Sequence, residues 1–575
     1  MTDWDTNSSP FAPMIGTNYI LSAAELNRLK AMLVHPVNKL ASLELEIGHA
    51  QATLDALLHE KQRVKSYVDA HRVLLSPVRQ IPPETLAEIF VQCLPSDPPY
   101  GLRDLAKAPL LLTTICKDWR HIALTTPRLW KSLHIHLPAH LSAEACAKRV
   151  QGVIAWLERS GSSPLSISLH GMSHYPDTAP NQENLLRSVM KFSHRFENTD
   201  LSLPSSALSI FGELAPPTFP ILASLRLRDL GVDNRVRGGR FTISRASQEH
   251  AAAANFALLG LLFPRMPGLH ALSLQLSFGA NKNPLLPCNW KHLTSLDLSS
   301  PMHPDQALDI LAQVPQMCTL ALTIEIYPDI PHWKEKATAY LNNLSKLRLS
   351  LTPTQSVLLE SDFLFVFGCK LHCPALQSFS VSCPTLIVIS KLIFVSLPLD
   401  MLEELELEII TTPEVLTECL SLIPNLTSFK FTDCAYRPQA THPIQDSHIA
   451  SLTSSPSNPI PCWPRLERIQ ILSVNPRMHA TQDAGSDSLT PAALTRFLDS
   501  RTQSPLKTCH ILFRAQPSFS QMELDILRSL ERNGLSLRFS YLVNSRDEQP
   551  EHDLPDMGLA PIPHTRIHGT KQISL

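Results

Sequence analysis

The sequence predicts a mixed α/β chain: a long N-terminal helix, then a small helical module, then an irregular array of short strands with return helices. Three observations predict it. Residues 38–76 contain no proline and carry apolar residues on alternating three- and four-residue steps. Residues 77–130 hold two apolar helical stripes separated by a proline-rich break. From residue 222 onward the template L-x-x-L-x-L recurs, with hydrophobic substitutes, and earlier strands at Leu133/Ile135, Leu165/Ile167/Leu169 and Leu201/Leu203 read as part of the same stack.

Composition narrows the function. The 575 residues are 44% hydrophobic and 18% charged, enough to bury a core over most of the length. The net charge of −2 leaves no electrostatic footprint for nucleic acid, which needs a strongly basic domain. Only 18 glycines stand beside 48 prolines, which argues against enzymes built on Gly-rich phosphate loops. The 12 cysteines are scattered, several in apolar runs (Cys318, Cys383, Cys419), and read as reduced thiols rather than a disulfide framework. The first residues have neither a basic nor an apolar leader segment, so no secretory signal is expected. The longest apolar stretches, 250–263 and 386–399, are too short to span a bilayer. The expectation is a cytoplasmic or nuclear chain with no membrane or nucleic-acid partner.

Residues 1–20 lack periodicity and are expected to be disordered. Ser22 and Glu25 have the spacing of a capping box that opens a helix over 21–76. Leu26, Leu29 and Leu33 follow at helical spacing, and Pro36 is expected to stop or kink that helix. Beyond it, Leu40, Leu43, Ile47, Ala50, Leu54, Leu57, Val64, Val68 and Leu75 form a seam of period 3.5, interrupted by Lys61 and His71. A continuous helix here is roughly 55–60 Å long at 1.5 Å per residue. Two readings stay open: a coiled coil that pairs two copies or binds a partner through 38–76, and a long helix folded back on its own domain.

The next segment reads Ile81-Pro82, Glu84, Leu86, Ile89-Phe90, then Ile115-Cys116, Trp119-Arg120, Ala123-Leu124 and the tail Pro127-Arg128-Leu129-Trp130. In this order the two halves resemble an F-box over residues 77–135, as in fungal F-box proteins that place a heptad helix directly before the box. Ile81 stands where the family usually has Leu, and a proline-rich insertion at 95–109 lengthens the first inter-helix loop. The resemblance implies a substrate receptor of an SCF-type ubiquitin ligase, bound through a Skp-type adaptor to a cullin scaffold. It also implies that Ile81, Pro82, Leu86, Ile89, Phe90, Ile115, Cys116 and Trp119 contact that adaptor. Some of them are equally needed for the module's own core. The competing function is a protein-interaction scaffold acting outside any ligase.

Residues 136–544 carry the repeats. Anchors run from Leu222/Leu225/Leu227 through Leu296/Leu298, Leu347/Leu349 and Leu405/Leu407 to Leu506/Cys509/Ile511. Between residues 269 and 426 they are spaced 24 to 32 residues apart, at or near the period of leucine-rich repeats. One such unit cannot bury its apolar face alone, but stacked neighbours can. The expected fold is therefore an irregular leucine-rich-repeat-like solenoid. Return helices are expected at 251–263, 304–312 and 491–498, loops at 230–250, 435–462 and 475–490, and a disordered tail at 545–575. Strand geometry sends the residues after the paired anchors to the opposite face. That set is Arg226, Arg228, Gln275, Asp297, Arg348, Glu406, Glu408, Lys430 and Gln470, basic toward the first strands and acidic at Glu406 and Glu408. It reads either as a charge-patterned surface for an unknown target protein or as an ordinary solvated face, with the loops binding instead.

No nucleophile elbow, phosphate loop, dinucleotide fingerprint or zinc-protease motif occurs, so no enzyme and no cofactor are expected. Cys369, His372, Cys373 and Cys383 lack the paired spacing of a zinc site and read as buried thiols. His134 and His136, with His140, read as plain surface groups, and Arg235 to Arg240 as a small basic loop.

Overall fold

A computed structural model describes residues 4–95, 100–137, 142–171, 179–203, 219–229, 259–260, 262–276, 290–326, 336–353, 360–361, 363–383, 388–389, 398–434, 444–454, 462–473, 489–502, 504–513, 517–542 and 570–572. The chain divides into two compact units, Met1–Leu86 and Ala87–Leu575.

The first unit is dominated by α1 (Ala23–Arg72), 50 residues long. The capping box forms: Ser22 N–H donates to Glu25 Oε2 at 2.8 Å, and Glu25 N–H donates back to Ser22 Oγ at 3.4 Å. Pro36 lies inside α1 and does not end it. A proline removes one i→i−4 bond, while the flanking residues keep theirs. No residue of α1 is buried, and the seam leucines Leu40, Leu43, Leu54 and Leu57 are all exposed. Residues 4–20, expected to be disordered, form 3-10 turns at Thr6–Ser8 and Ala12–Met14. Asp5 caps the first turn, Phe11 is buried, and Trp4 stacks on His35 at 5.7 Å. Trp4 thus sits against α1, a contact that no local periodicity announces.

Helix α2 spans Pro83–Gln92. In the second unit a single turn, α3 (Leu112–Ile115), leads to α4 (Lys117–Thr125). Cys116 joins them, its Sγ accepting from Trp119 N–H at 3.4 Å. A 3-10 turn, Pro127–Trp130, then buries Leu129 and Trp130. Trp130 Nε1–H donates to the Ala123 carbonyl at 2.8 Å and its ring meets Trp156 edge-on at 4.8 Å. The Arg159 guanidinium lies 4.8 Å over the same ring. Trp156 and Arg159 belong to α5 (Ala143–Arg159), so Trp130 ties the helical segment to the first strand–helix repeat.

Among the described residues, fifteen strands form one sheet whose spatial order is the chain order. They are β1 (Ser132–Leu137), β2 (Leu165–Gly171), β3 (Phe196–Leu203), β4 (Ser224–Asp229) and β5 (Ala271–Gln275). Next come β6 (Ser295–Met302), β7 (Thr319–Ile326), β8 (Lys346–Pro353), β9 (Ser378–Ser382) and β10 (Glu404–Ile409). The last are β11 (Ser428–Asp433), β12 (Arg468–Ser473), β13 (Thr508–Phe513), β14 (Ser536–Leu542) and β15 (Thr570–Gln572). Neighbours are parallel except for β15, which pairs antiparallel with β14.

The anchors align across strands: Leu225 opposes Leu272, Leu347 opposes Phe379, and Leu407 opposes Phe431. In β10 buried and half-buried residues strictly alternate, which puts the anchors on one face and the charged residues on the other. Behind the anchor face, α6 (Ala179–Met190), α7 (Pro304–Leu311), α8 (Phe363–Gly368), α9 (Pro413–Leu422), α10 (Asp446–Leu452), α11 (Pro491–Ser500) and α12 (Gln521–Arg532) separate successive strands. Their apolar stripes are buried, as at Leu308 and Leu311 or Leu494 and Phe497. Each such side chain contributes about 1.5–3 kcal/mol relative to exposure.

Several expectations change. The stretch 435–462 contains α10, because Ile449 and Leu452 bury an apolar stripe there. The α12–β14 repeat lies within the expected repeat region but beyond the last anchor named from the sequence; Ser520 and Glu523 form its capping box and Leu537 and Phe539 are its buried anchors. Residues 570–572 of the tail form an edge strand. The loops at 230–250 and 475–488, the helix at 251–258 and the tail at 545–569 and 573–575 lie outside the described residues. The proline-rich insertion reaches the first strand: His134 N–H donates to the Gly101 carbonyl at 2.8 Å, covering the open edge of β1. A side chain at Gly101 would stand 2.7 Å from the Ser132 carbonyl oxygen, so backbone approach this close requires glycine.

One charged group supports the repeat packing from inside. Arg501 is buried and donates to the carbonyls of Leu452 at 2.6 Å, Cys462 at 2.8 Å and Trp463 at 3.1 Å. Substitution Arg501→Met leaves these carbonyls without their donor. It is expected to lower unfolding stability by about 2–4 kcal/mol, measured by denaturant titration.

Candidate functional site

The sheet face opposite the anchors carries the charged residues in rows. Register partners run in an unbroken line from Asp200 through Arg226, Ser273, Asp297, Ala321 and Arg348. The line continues through Ser380, Glu406, Lys430, Gln470 and His510. The structure therefore brings Arg226, Asp297, Arg348, Glu406, Lys430 and Gln470 into one row. Arg228 opposes Gln275 in the neighbouring row, and Glu408 stands farther along that same side between Ser382 and Thr432. A further row on the other side of the first holds Lys346, Glu404 and Arg468, aligned through Ser378 and Ser428. It consists of the residues just before the first paired anchor, a position with the same outward direction that the sequence reading left out.

A groove of about 590 Å³ lies over these rows, lined from Ser295 on β6 to His510 on β13. Most of its charges are bonded to one another. Lys430 Nζ donates to Glu406 Oε1 at 2.5 Å, and Arg468 donates to Glu404 Oε1 at 2.9 Å. Asp297 accepts from Ser273 at 3.0 Å and Ser299 at 2.8 Å, and Glu408, which does not line the groove, accepts from Ser382 at 2.7 Å. Outside the groove, Arg226 donates to Asp200 at 3.3 Å. The acidic end expected at Glu406 and Glu408 is thus bonded internally. Lys346 and Arg348 have no hydrogen-bond or ion-pair partner from their side chains among the described residues, and both are exposed.

In the helical segment, Pro82, Ile89, Ile115 and Cys116 are exposed, Ile81 and Trp119 are half-buried, and Leu86 and Phe90 are buried. Ile89 is 42% exposed and Ile115 54%, high for β-branched residues in a folded module. Phe90 packs on Trp119 with ring centroids 4.8 Å apart. Leu111, which the sequence reading did not single out, is exposed as well. Arg128 forms an ion pair with Glu88 beside them.

The histidines at the start of the sheet are not plain surface groups. His134 is buried, its Nδ1 3.0 Å from Ser168 Oγ, and His136 stacks on His170 at 5.8 Å. The pairing of β1 with β2 creates these contacts, since Ser168 and His170 stand at the opposing register positions. His140 lies outside the described residues. Burial, with the neighbouring His136, His134 and Arg228, pushes the His170 imidazole down to about 4. Burial and Arg149 hold His136 below its usual value too. Among the described residues no group of three or more His, Cys, Asp or Glu is placed to hold a metal ion. Cys373 and Cys383 are buried, Cys369 is exposed, and burial pushes the Cys373 thiol up to about 12. The basic loop at Arg235 to Arg240 lies outside the described residues. No helix among the described residues is long and apolar enough to cross a membrane.

Comparison of the sequence with protein-family models and with curated proteins finds no match.

A neutral His170 in the folded chain sets a pH dependence. Its folded value lies below its unfolded one, so the unfolded chain binds more protons as pH falls from 6.5 toward 4. Stability contributed by this site is present at pH 7 and is lost through that window. The melting temperature is expected to fall on acidification over it, and His170→Asn is expected to flatten the dependence in pH-resolved calorimetry.

Proposed function

We propose that this chain is a non-catalytic adaptor of an SCF-type ubiquitin ligase. Residues 77–135 act as its F-box, and a leucine-rich-repeat-like sheet holds a target protein. The observation that carries the reading is the division of apolar residues in the helical segment. Leu86 and Phe90 are buried, while Pro82, Ile89, Ile115 and Cys116 remain exposed. A module this small needs apolar residues for its own core, so leaving two isoleucines in water favours a partner that covers them. The buried Trp130 supports it further, because the Pro-Arg-Leu-Trp tail couples the segment to the repeats.

In this reading the chain does no chemistry. The Skp-type adaptor joins it to a cullin scaffold, and the target held on the sheet is brought within reach of a bound conjugating enzyme. The rate gain is one of effective concentration, since tethering turns a bimolecular encounter into an intramolecular one.

Ile89→Glu combined with Ile115→Glu is expected to abolish co-precipitation of a Skp-type adaptor from a cell extract, with the melting temperature of the repeats unchanged. Retention of the adaptor by the folded double variant would sink this assignment.

A second reading rests on a separate observation, the exposed seam of α1. There the chain is a scaffold outside any ligase, paired through residues 38–76. Removal of residues 21–75 is then expected to halve the mass measured by light scattering. A mass equal to one chain with and without the helix counts against pairing.

A further inference from the structure

The groove over the sheet contains a charge imbalance at one place. Along its rows the carboxylates already have donors: Glu406 has Lys430, Glu404 has Arg468, and Asp297 has two serines. On β8 the two outward cations, Lys346 and Arg348, have none among the described residues. They are two residues apart on one strand and so share a face.

Their flanks are small. Lys346 stands between Thr319 on β7 and Ser378 on β9, and Arg348 between Ala321 and Ser380. The nearest acidic rows, on β6 and β10, are each two strands away, about 10 Å at the usual strand spacing. That distance is comparable to the Debye length of about 8 Å at physiological salt, so salt partly screens these carboxylates from the two cations. The place therefore offers a guanidinium fork, an ammonium group, neighbouring hydroxyl donors and the empty space left by small side chains. That donor set matches an oxyanion, which accepts bidentate bonds from Arg and a point-charge contact from Lys.

The groove is much larger than a small ion. It crosses the eight strands from β6 to β13, about 34 Å at 4.8 Å per strand, the length of an extended segment of about ten residues. The Asp297 carboxylate toward one end, held by serine hydroxyls with no cation beside it, and the Glu404 and Glu406 ion pairs toward the other disfavour a second anion and so fix where the first one sits.

We infer that Lys346 and Arg348 form an anion subsite that receives a carboxylate or phosphate side chain from an extended acidic peptide laid across the sheet. This rests on the sheet being the target-binding surface, but it is independent of the F-box assignment, because peptide binding is measured without any Skp-type adaptor.

The test uses the full chain and fluorescein-labelled ten-residue peptides that alternate Glu and Ser. One version is unmodified, one carries a single phosphoserine at its centre, and one has Gln in place of Glu. Anisotropy titration is expected to show binding of an acidic version that weakens with added salt. Lys346→Gln with Arg348→Gln is expected to weaken it at least tenfold, with the melting temperature unchanged. Tenfold tighter binding of the phosphorylated version identifies phosphate as the source of the oxyanion; equal binding of the two identifies carboxylate. The inference is overturned if the double variant binds as tightly as the natural chain, if the Gln peptide binds as well as the acidic ones, or if inorganic phosphate binds but no peptide does.

Discussion

Each strand of the large sheet depends on the strand beside it. A strand of this chain offers two or three apolar anchors on one face, too little to bury alone. Burial becomes complete only when Leu225 lies opposite Leu272, Leu272 opposite Leu296, and so on along the chain. Because the side-chain period of a strand is two, that alignment also decides the other face. Once the leucines are in register, so are the residues between them. The rows of charge are a by-product of the packing, and their spacing is that of the backbone. The ends of such a stack need separate treatment, and the chain provides it with the Gly101 segment at β1 and with β15 at β14.

The same alignment explains why formal charge is a poor guide to what the face presents. Glu406 and Lys430 are far apart in sequence but become neighbours, and their attraction is spent on each other. Exposed pairs of this kind add little stability, commonly under about 1 kcal/mol. Their larger effect is on the surface potential, which is cancelled where partners adjoin and persists over β8, where the neighbours are Thr319, Ala321, Ser378 and Ser380.

In the helical segment the organising contact is different. Phe90 and Trp119 pack with their rings tilted at 55°, and Trp130 is buried between the Ala123 carbonyl and Trp156. These contacts consume the aromatic residues and leave the exposed isoleucines on the outside. The proposed adaptor surface is therefore composed mainly of aliphatic groups, with Trp119 contributing the half that packing leaves uncovered.

Much of this was legible in residue order alone. Heptad spacing and the Ser22–Glu25 pair determined a long helix, and recurring leucines determined a row of strands facing one core, because both signals are local periodicities that physics reads directly. The α12–β14 repeat carries the same local signals in Ser520, Glu523, Leu537 and Phe539. Other features had no local signal. That His134 is buried against Ser168, that Glu406 is neutralised by Lys430, and that Lys346 and Arg348 are not neutralised follow from which strand lies beside which. The stacking of Trp4 on His35 likewise depends on a helix farther along the chain. Sequence by itself determined the elements and the faces they present; the tertiary structure alone decided which charges meet, because pairing depends on register between residues that the chain places dozens of positions apart.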